Sequence, residues 1–268
     1  MKFGIQLFSV RNFLETPEQM DDTFKRVKEM GYQCVQLSGF KHVKEAGAGF
    51  DVDQVNALIA KYDMAVNLTH IAPDRLENDL DAVIADHKAI GCANIGLGSM
   101  PGVWAKINDG GVDEAFVEAF VEKYDAIAKK IADAGLKFFY HNHAFEFIKL
   151  PNGQTIMDYI IEKSKYINFT LDTHWLQRGG VSIIEYIKKL NGRIECVHLK
   201  DYIMVDNNTV KFAPVGVGVI NWADVIATLN ECNVKYAFVE QDDAVDYEDP
   251  FGQIETSAKN LTKWGYIK

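Results

Sequence analysis

Residues 136–147 read LKFFYHNHAFEF, and the fold turns on how this stretch divides. Leu136, Phe138, Phe139 and Tyr140 make a short apolar run entered directly from Ala134-Gly135, a pair that stops the amphipathic helix before it. The run gives way to His141, Asn142 and His143, with Glu146 just beyond. The side-chain period of a strand is two, so His141 and His143 face the same way. Two imidazoles at the end of a buried strand suit a metal or acid/base site, or equally a pair of hydrogen-bonded core histidines.

The same grammar of helix, glycine stop, apolar strand and polar exit recurs on both sides. Strands are expected at Phe3–Leu7, Cys34–Leu37, Ala65–Thr69 and Ala93–Leu97 before it, and at Asn168–Asp172, Glu195–Leu199 and Tyr236–Glu240 after it. Thr16-Pro17-Glu18-Gln19 supplies an N-cap, a first-turn proline and an acidic first turn to a helix carrying Met20, Phe24, Val27 and Met30, which stops at Gly31. Further helices are expected at Val52–Lys61, Leu76–Ile90, Ala115–Ala134, Met157–Ser164, Ile183–Leu190, Trp222–Asn230 and Pro250–Leu261. Gly98–Asp113 reads as a long loop. Asp206-Asn207-Asn208 reads as the turn of a hairpin inserted between Tyr202–Val205 and Val210–Ala213. About eight β-then-α units without a linker indicate an α/β protein with one domain, residues 1–268, folded as a single (β/α)8 TIM barrel. A doubly wound open sheet is the alternative, and the first strand lacks the GxGxxG of its commonest nucleotide-binding form.

Composition narrows the partners. A formal charge of −10 over 268 residues disfavours nucleic acid, whose phosphates need a basic footprint. No leader or membrane-length apolar run is visible, and Cys34, Cys92, Cys196 and Cys232 lack CxxC spacing. Free thiols, no membrane association and a cytoplasmic address are expected, with homo-oligomerisation left open. His42 and His87 read as surface residues in helical or loop settings.

Barrels of this kind carry their chemistry at the C-terminal ends of the strands. Those ends hold Gln6, Gln36, His70, His141 and His143, then Asp172, His198, Lys200 and Glu240. Charged and imidazole groups ending consecutive strands, two of them carboxylates, are costly to desolvate without a shared cation. Two carboxylates and two imidazoles form a mixed oxygen and nitrogen set suited to one divalent cation, Mn2+, Co2+, Zn2+ or Mg2+. Lys200, two residues past His198, shares its inward face and could steady a developing oxyanion. Trp175 offers an apolar platform for a sugar ring or simply packs, and Gln6, Gln36 and His70 offer polar contacts. The mixture suits an uncharged sugar or polyol better than a nucleotide.

Taken together, GIQLFSVR (4–11), AGLKFFYHNHAFEF (134–147), LDTHW (171–175), VHLKD (197–201), PVGVGVINW (214–222) and FVEQD (238–242) resemble the sugar phosphate isomerase/epimerase family with the xylose-isomerase-like barrel. The resemblance implies one divalent cation bound from strands five to eight, with Asp172, His198 and Glu240 as ligands. The strand-five position falls on His141, where the family usually has Glu; Glu146, folding back, is the alternative ligand or a substrate contact. The family uses two glutamates as the acid/base pair around an enediolate, and only Glu240 of that pair is present. His143 lies at the histidine of the family's Glu-x-His motif, which implies a base or substrate-contacting role. The expected activity is a metal-dependent isomerase or epimerase on a sugar or keto-sugar. A metal-dependent dehydratase or keto-sugar lyase, or a non-catalytic sugar-binding barrel, are the alternatives. A DNA-repair endonuclease of the same superfamily is disfavoured by the charge and by too few histidines for a multi-zinc cluster.

Overall fold

The structure is a computed structural model describing residues 1–38 and 51–268. Eight parallel strands close into a barrel: β1 Lys2–Gln6, β2 Cys34–Leu37, β3 Val66–His70, β4 Asn94–Leu97, β5 Lys137–His141, β6 Ile167–Asp172, β7 Cys196–Leu199 and β8 Tyr236–Val239. They are arranged in sequence order, with β1 paired to both β2 and β8. Around them lie α1 Pro17–Glu29, α2 Val52–Tyr62, α3 Pro73–Asn78, α4 Leu80–Ala89, α5 Val103–Asn108, α6 Glu114–Asp133, α7 Ile156–Lys163, α8 Thr173–Arg178, α9 Ile183–Lys189, α10 Trp222–Glu231 and α11 Pro250–Lys263. None of these helices is long and apolar enough to cross a membrane.

Local chemistry sets the boundaries. Thr16 and Gln19 form a reciprocal capping box at α1, which gives way at Gly31 with φ +91°. The inserted hairpin pairs Tyr202 with Phe212 and rests on Asp201. Asp201 is fully buried and accepts hydrogen bonds from the backbone N–H of Gly216 and Gly218 and from Trp222 Nε1, at 2.9, 3.0 and 2.7 Å. Gly218 is obligatory there, because a Cβ would lie 2.2 Å from Asp201 Oδ1.

Three expectations change. The helix foreseen at Leu76–Ile90 is two, α3 and α4, interrupted at Asp79. The Gly98–Asp113 loop contains α5, and α8 follows β6 without a gap. Six-residue helices leave too few turns for apolar periodicity to register. His87 is buried rather than exposed: it faces inward from α4, with Nδ1 2.6 Å from the Val83 carbonyl and Nε2 2.7 Å from Thr69 Oγ1. His42 lies outside the described residues. All four cysteines are free and buried.

Burial lowers the His87 pKa from 6.5 to about 4. The unfolded chain therefore takes up this proton near pH 6.5 while the folded protein resists it down to about pH 4. Stability is full above that window and falls within it, by up to about 3 kcal/mol. Urea unfolding of wild type and His87→Gln at pH 7 and pH 4.5 should show a flatter pH dependence in the variant; equal slopes would refute the assignment.

The barrel interior is built in layers two residues apart. Cys34, Leu68, Phe139, Cys196 and Phe238 form a dry plug. Adding two to each number gives Gln36, His70, His141, His198 and Glu240. The strand period thus turns an apolar layer into a polar one at the C-terminal mouth.

Candidate metal and acid/base centre

Register supplies the first neighbours. Asp172 and His198 are Cα partners on β6 and β7, and Glu240 follows β8 with its N–H donating to the Leu199 carbonyl at 3.1 Å. His141, Asp172, His198 and Glu240 are all buried, and one potential ligand atom from each lies within 4.8 Å of the others.

The imidazoles are oriented from behind. His141 Nδ1–H donates to the Gly98 carbonyl at 3.0 Å, leaving an Nε2 lone pair 3.5 Å from Asp172 Oδ2. His198 Nε2–H donates to Gln36 Oε1 at 2.7 Å, leaving Nδ1 2.8 Å from Glu240 Oε2. Lone pairs facing carboxylate oxygens repel unless a cation or proton lies between them, and outer hydrogen bonds that fix a tautomer are the usual support of metal-ligating histidines. Asp172 does two things at once. Its Oδ1 accepts from the Trp175 N–H at 3.0 Å and caps α8, while its Oδ2 faces the cluster. Its backbone N–H donates to Asn142 Oδ1 at 3.0 Å.

Lys200 enters the same cluster. Its buried ammonium lies 2.9 Å from Glu240 Oε2, 3.1 Å from Asp172 Oδ2 and 3.1 Å from Asp242 Oδ2. Burial opposes the charge on Asp172 and Glu240, but Lys200 with His141 holds the first carboxyl below its usual range, and His198 with Lys200 holds the second well below. Burial likewise opposes the charge on Lys200, and the three carboxylates override it and raise its pKa. Burial pushes Asp242 up to about 6, against the pull of Lys200. With both histidines unprotonated, as ligation requires, three carboxylates against one ammonium leave two negative charges, which one divalent cation would balance. The donor set fits such a cation in both ligand type and charge.

His143 sits past the end of β5 in the exit turn, yet its ring lies 4.9 Å from that of His141, 5.4 Å from that of Trp175 and 5.6 Å from that of Phe145. Its Nδ1 is buried without a partner, and burial, reinforced by His141 and Lys200, lowers its pKa to about 3. His143 is thus neutral at pH 7. The His70 ring lies tilted against those of His141 and His198, with centroids 5.4 and 5.5 Å away and Nε2 unpartnered. It has room because β4 and the residue after it offer glycine: a Cβ on Gly96 or Gly98 would come within 2.9 or 3.0 Å of the His70 ring.

Between His141 and Glu146, left open by the sequence, only His141 reaches the cluster. Glu146 is buried in its own turn, accepting from Tyr140 Oη at 2.5 Å and from the His143 N–H at 2.8 Å, and burial raises its pKa to about 8. It therefore supports the backbone that carries His143 rather than facing the mouth. Gln36 spends its carbonyl oxygen on His198, while its Nε2 and that of Gln6 remain unpartnered. Trp175 is half-buried, with its ring 5.4 Å from Lys200 Nζ. Asp242, absent from the sequence-based set, lies two residues past Glu240 as Lys200 does past His198, and that spacing is its signal in the sequence.

The family model described as xylose isomerase-like TIM barrel matches residues 24–264. The chain belongs to that family. No curated protein matches it in sequence. Among solved structures it is similar to a sugar phosphate isomerase/epimerase from Parabacteroides distasonis, with TM-score 0.81 and 17% identity over 100% of this chain and 95% of that one. It is also similar to a 3-keto-D-glucoside 4-epimerase from E. coli, with TM-score 0.72 and 16% identity over 98% of this chain and 99% of the other. A third similar structure is a probable 3-DHS dehydratase from Bacillus anthracis, with TM-score 0.71 and 13% identity over 98% and 99%. At these identities the likeness shows the fold.

Proposed function

We propose that the protein is a divalent-cation-dependent isomerase or epimerase of an uncharged sugar or keto-sugar, working through an enediolate. The observation that carries this reading is the buried set His141, Asp172, His198 and Glu240 with its two uncompensated negative charges, beside a neutral His143. Those four side chains would hold the cation, which when bound supplies Lewis-acid polarisation of a substrate carbonyl. The name of the similar 3-keto-D-glucoside 4-epimerase supports the keto-sugar class.

The chain's own groups do the rest. His143, unprotonated at neutral pH, takes the proton from the carbon next to the carbonyl. The C–H electron pair becomes the double bond of the enediolate, and the charge moves to the former carbonyl oxygen, which the Lys200 ammonium stabilises. His143, now protonated, returns a proton to the neighbouring carbon to give an isomer; for an epimer the proton comes from solvent on the opposite face, because Glu240, ionised beside His198 and Lys200, has none to give. Trp104 and Phe145, packed edge-on with ring centroids 5.1 Å apart, wall the side on which His143 stands.

A second reading has its own support. Strand five presents an imidazole where a two-base epimerase of the family has a carboxylate, and Glu146 is turned away, so a one-base elimination needs less of this site. Mass spectrometry of a turnover in D2O separates the two. An isomerase or epimerase gives product with the substrate's mass plus deuterium at the carbon next to the carbonyl, whereas a lyase gives product lacking water or an aglycone. Unlabelled product of unchanged mass would contradict the proton-transfer mechanism and remove His143 as its base.

A further inference from the structure

Two oxygens in the site serve two kinds of cation. Asp172 Oδ2 and Glu240 Oε2 face the histidine lone pairs, and they are also the oxygens that the Lys200 ammonium reaches, at 3.1 and 2.9 Å. Asp172 has no second oxygen to offer, because Oδ1 is committed to the N-terminus of α8. Lys200 in turn has other partners. Asp242 Oδ2 is 3.1 Å away on a side chain 30% exposed, and the rings of Trp175 and Phe212 have centroids 5.4 and 5.5 Å from Nζ. Those rings favour an ammonium after it leaves the other carboxylates.

We propose that Lys200 is a resident counter-ion: it holds Asp172 and Glu240 when no divalent cation is bound, and yields them to the cation while keeping Asp242 and the two rings. The inference rests on the cation reading above. It has two consequences of opposite sign. Without Lys200 the cation-free protein buries the Asp172 and Glu240 carboxylates, beside the half-buried Asp242, with no ammonium to balance them, and becomes less stable. The same protein binds a divalent cation more tightly, because no ammonium has to be displaced or repels the ion. A lysine that merely braced the fold would produce the first effect without the second.

Chelator-stripped wild type and Lys200→Met would be titrated with Mn2+ by calorimetry, and their thermal unfolding compared with and without Mn2+. The expected result is binding at least ~10-fold tighter in the variant, with a lower Tm when stripped and a Tm near wild type when saturated. Wild type that binds while the variant binds equally or less tightly overturns the inference alone. Wild type that takes up no Mn2+ overturns the cation reading and this inference with it. If Lys200→Met does not fold, wild type decides. Its buried, exchange-protected Lys200 Nζ signal in 15N-lysine-labelled protein should shift and lose protection on saturation with Mg2+ or Zn2+, and an unmoved signal at saturation overturns the proposal.

Discussion

Calorimetric titration of Asp172→Asn with Mn2+ is expected to lose the binding seen in wild type, with affinity reduced by more than ~10²-fold. Replacing the outer partner of a ligand typically costs 10–100-fold, and removal of the ligand itself should exceed that. Asparagine makes a cleaner test than alanine because of the residue's double duty. Its Oδ1 can still accept the Trp175 N–H and cap α8, a contact whose loss in Asp172→Ala would cost about 1 kcal/mol by itself. What Asn removes is the charge and the lone pair that face His141, His198 and Lys200. Unfolding midpoints should therefore separate the two variants, while both fail to bind Mn2+. Wild-type affinity in Asp172→Asn would exclude Asp172 from the ligand set.

His143→Ala is expected to lower kcat by ~10²–10⁴-fold, the usual contribution of a positioned general base. KM should change far less, since an interaction made chiefly in the transition state lowers kcat and kcat/KM together. Mn2+ stoichiometry should stay at the wild-type value, because His143 lies beside the cluster without belonging to it. Deuterium incorporation from D2O should fall with turnover. A variant with full turnover and a raised KM would make His143 a binding residue only.

Much of the site could be read along the strands because the signals are local. Apolar runs of four to six residues, glycine stops and caps such as Thr16 mark where strands and helices begin and end. The period of two then says which residue at each strand end faces inward, and it reaches Gln36, His70, His141, His198 and Glu240 from the plug below them. The same count, carried one step past Glu240, reaches Asp242. The short helices α5 and α8 left no periodic trace, so the capping role of Asp172 was invisible.

By itself the sequence determined the succession of βα units, the barrel they imply and the polar character of its mouth, because propensity, capping and strand alternation act over a few neighbouring residues. Only the closed barrel decided who meets whom. Gln36 on β2 orients His198 on β7 across 162 residues of chain, Gly96 on β4 and Gly98 just past it make room for His70 on β3, and Glu146 turns into its own loop while His141 faces the ligands. Whether a buried charge is balanced depends on atoms within about 4 Å of it. For Lys200 those atoms come from β6 and from the end of β8, distances that strand closure sets and that no spacing along the chain encodes.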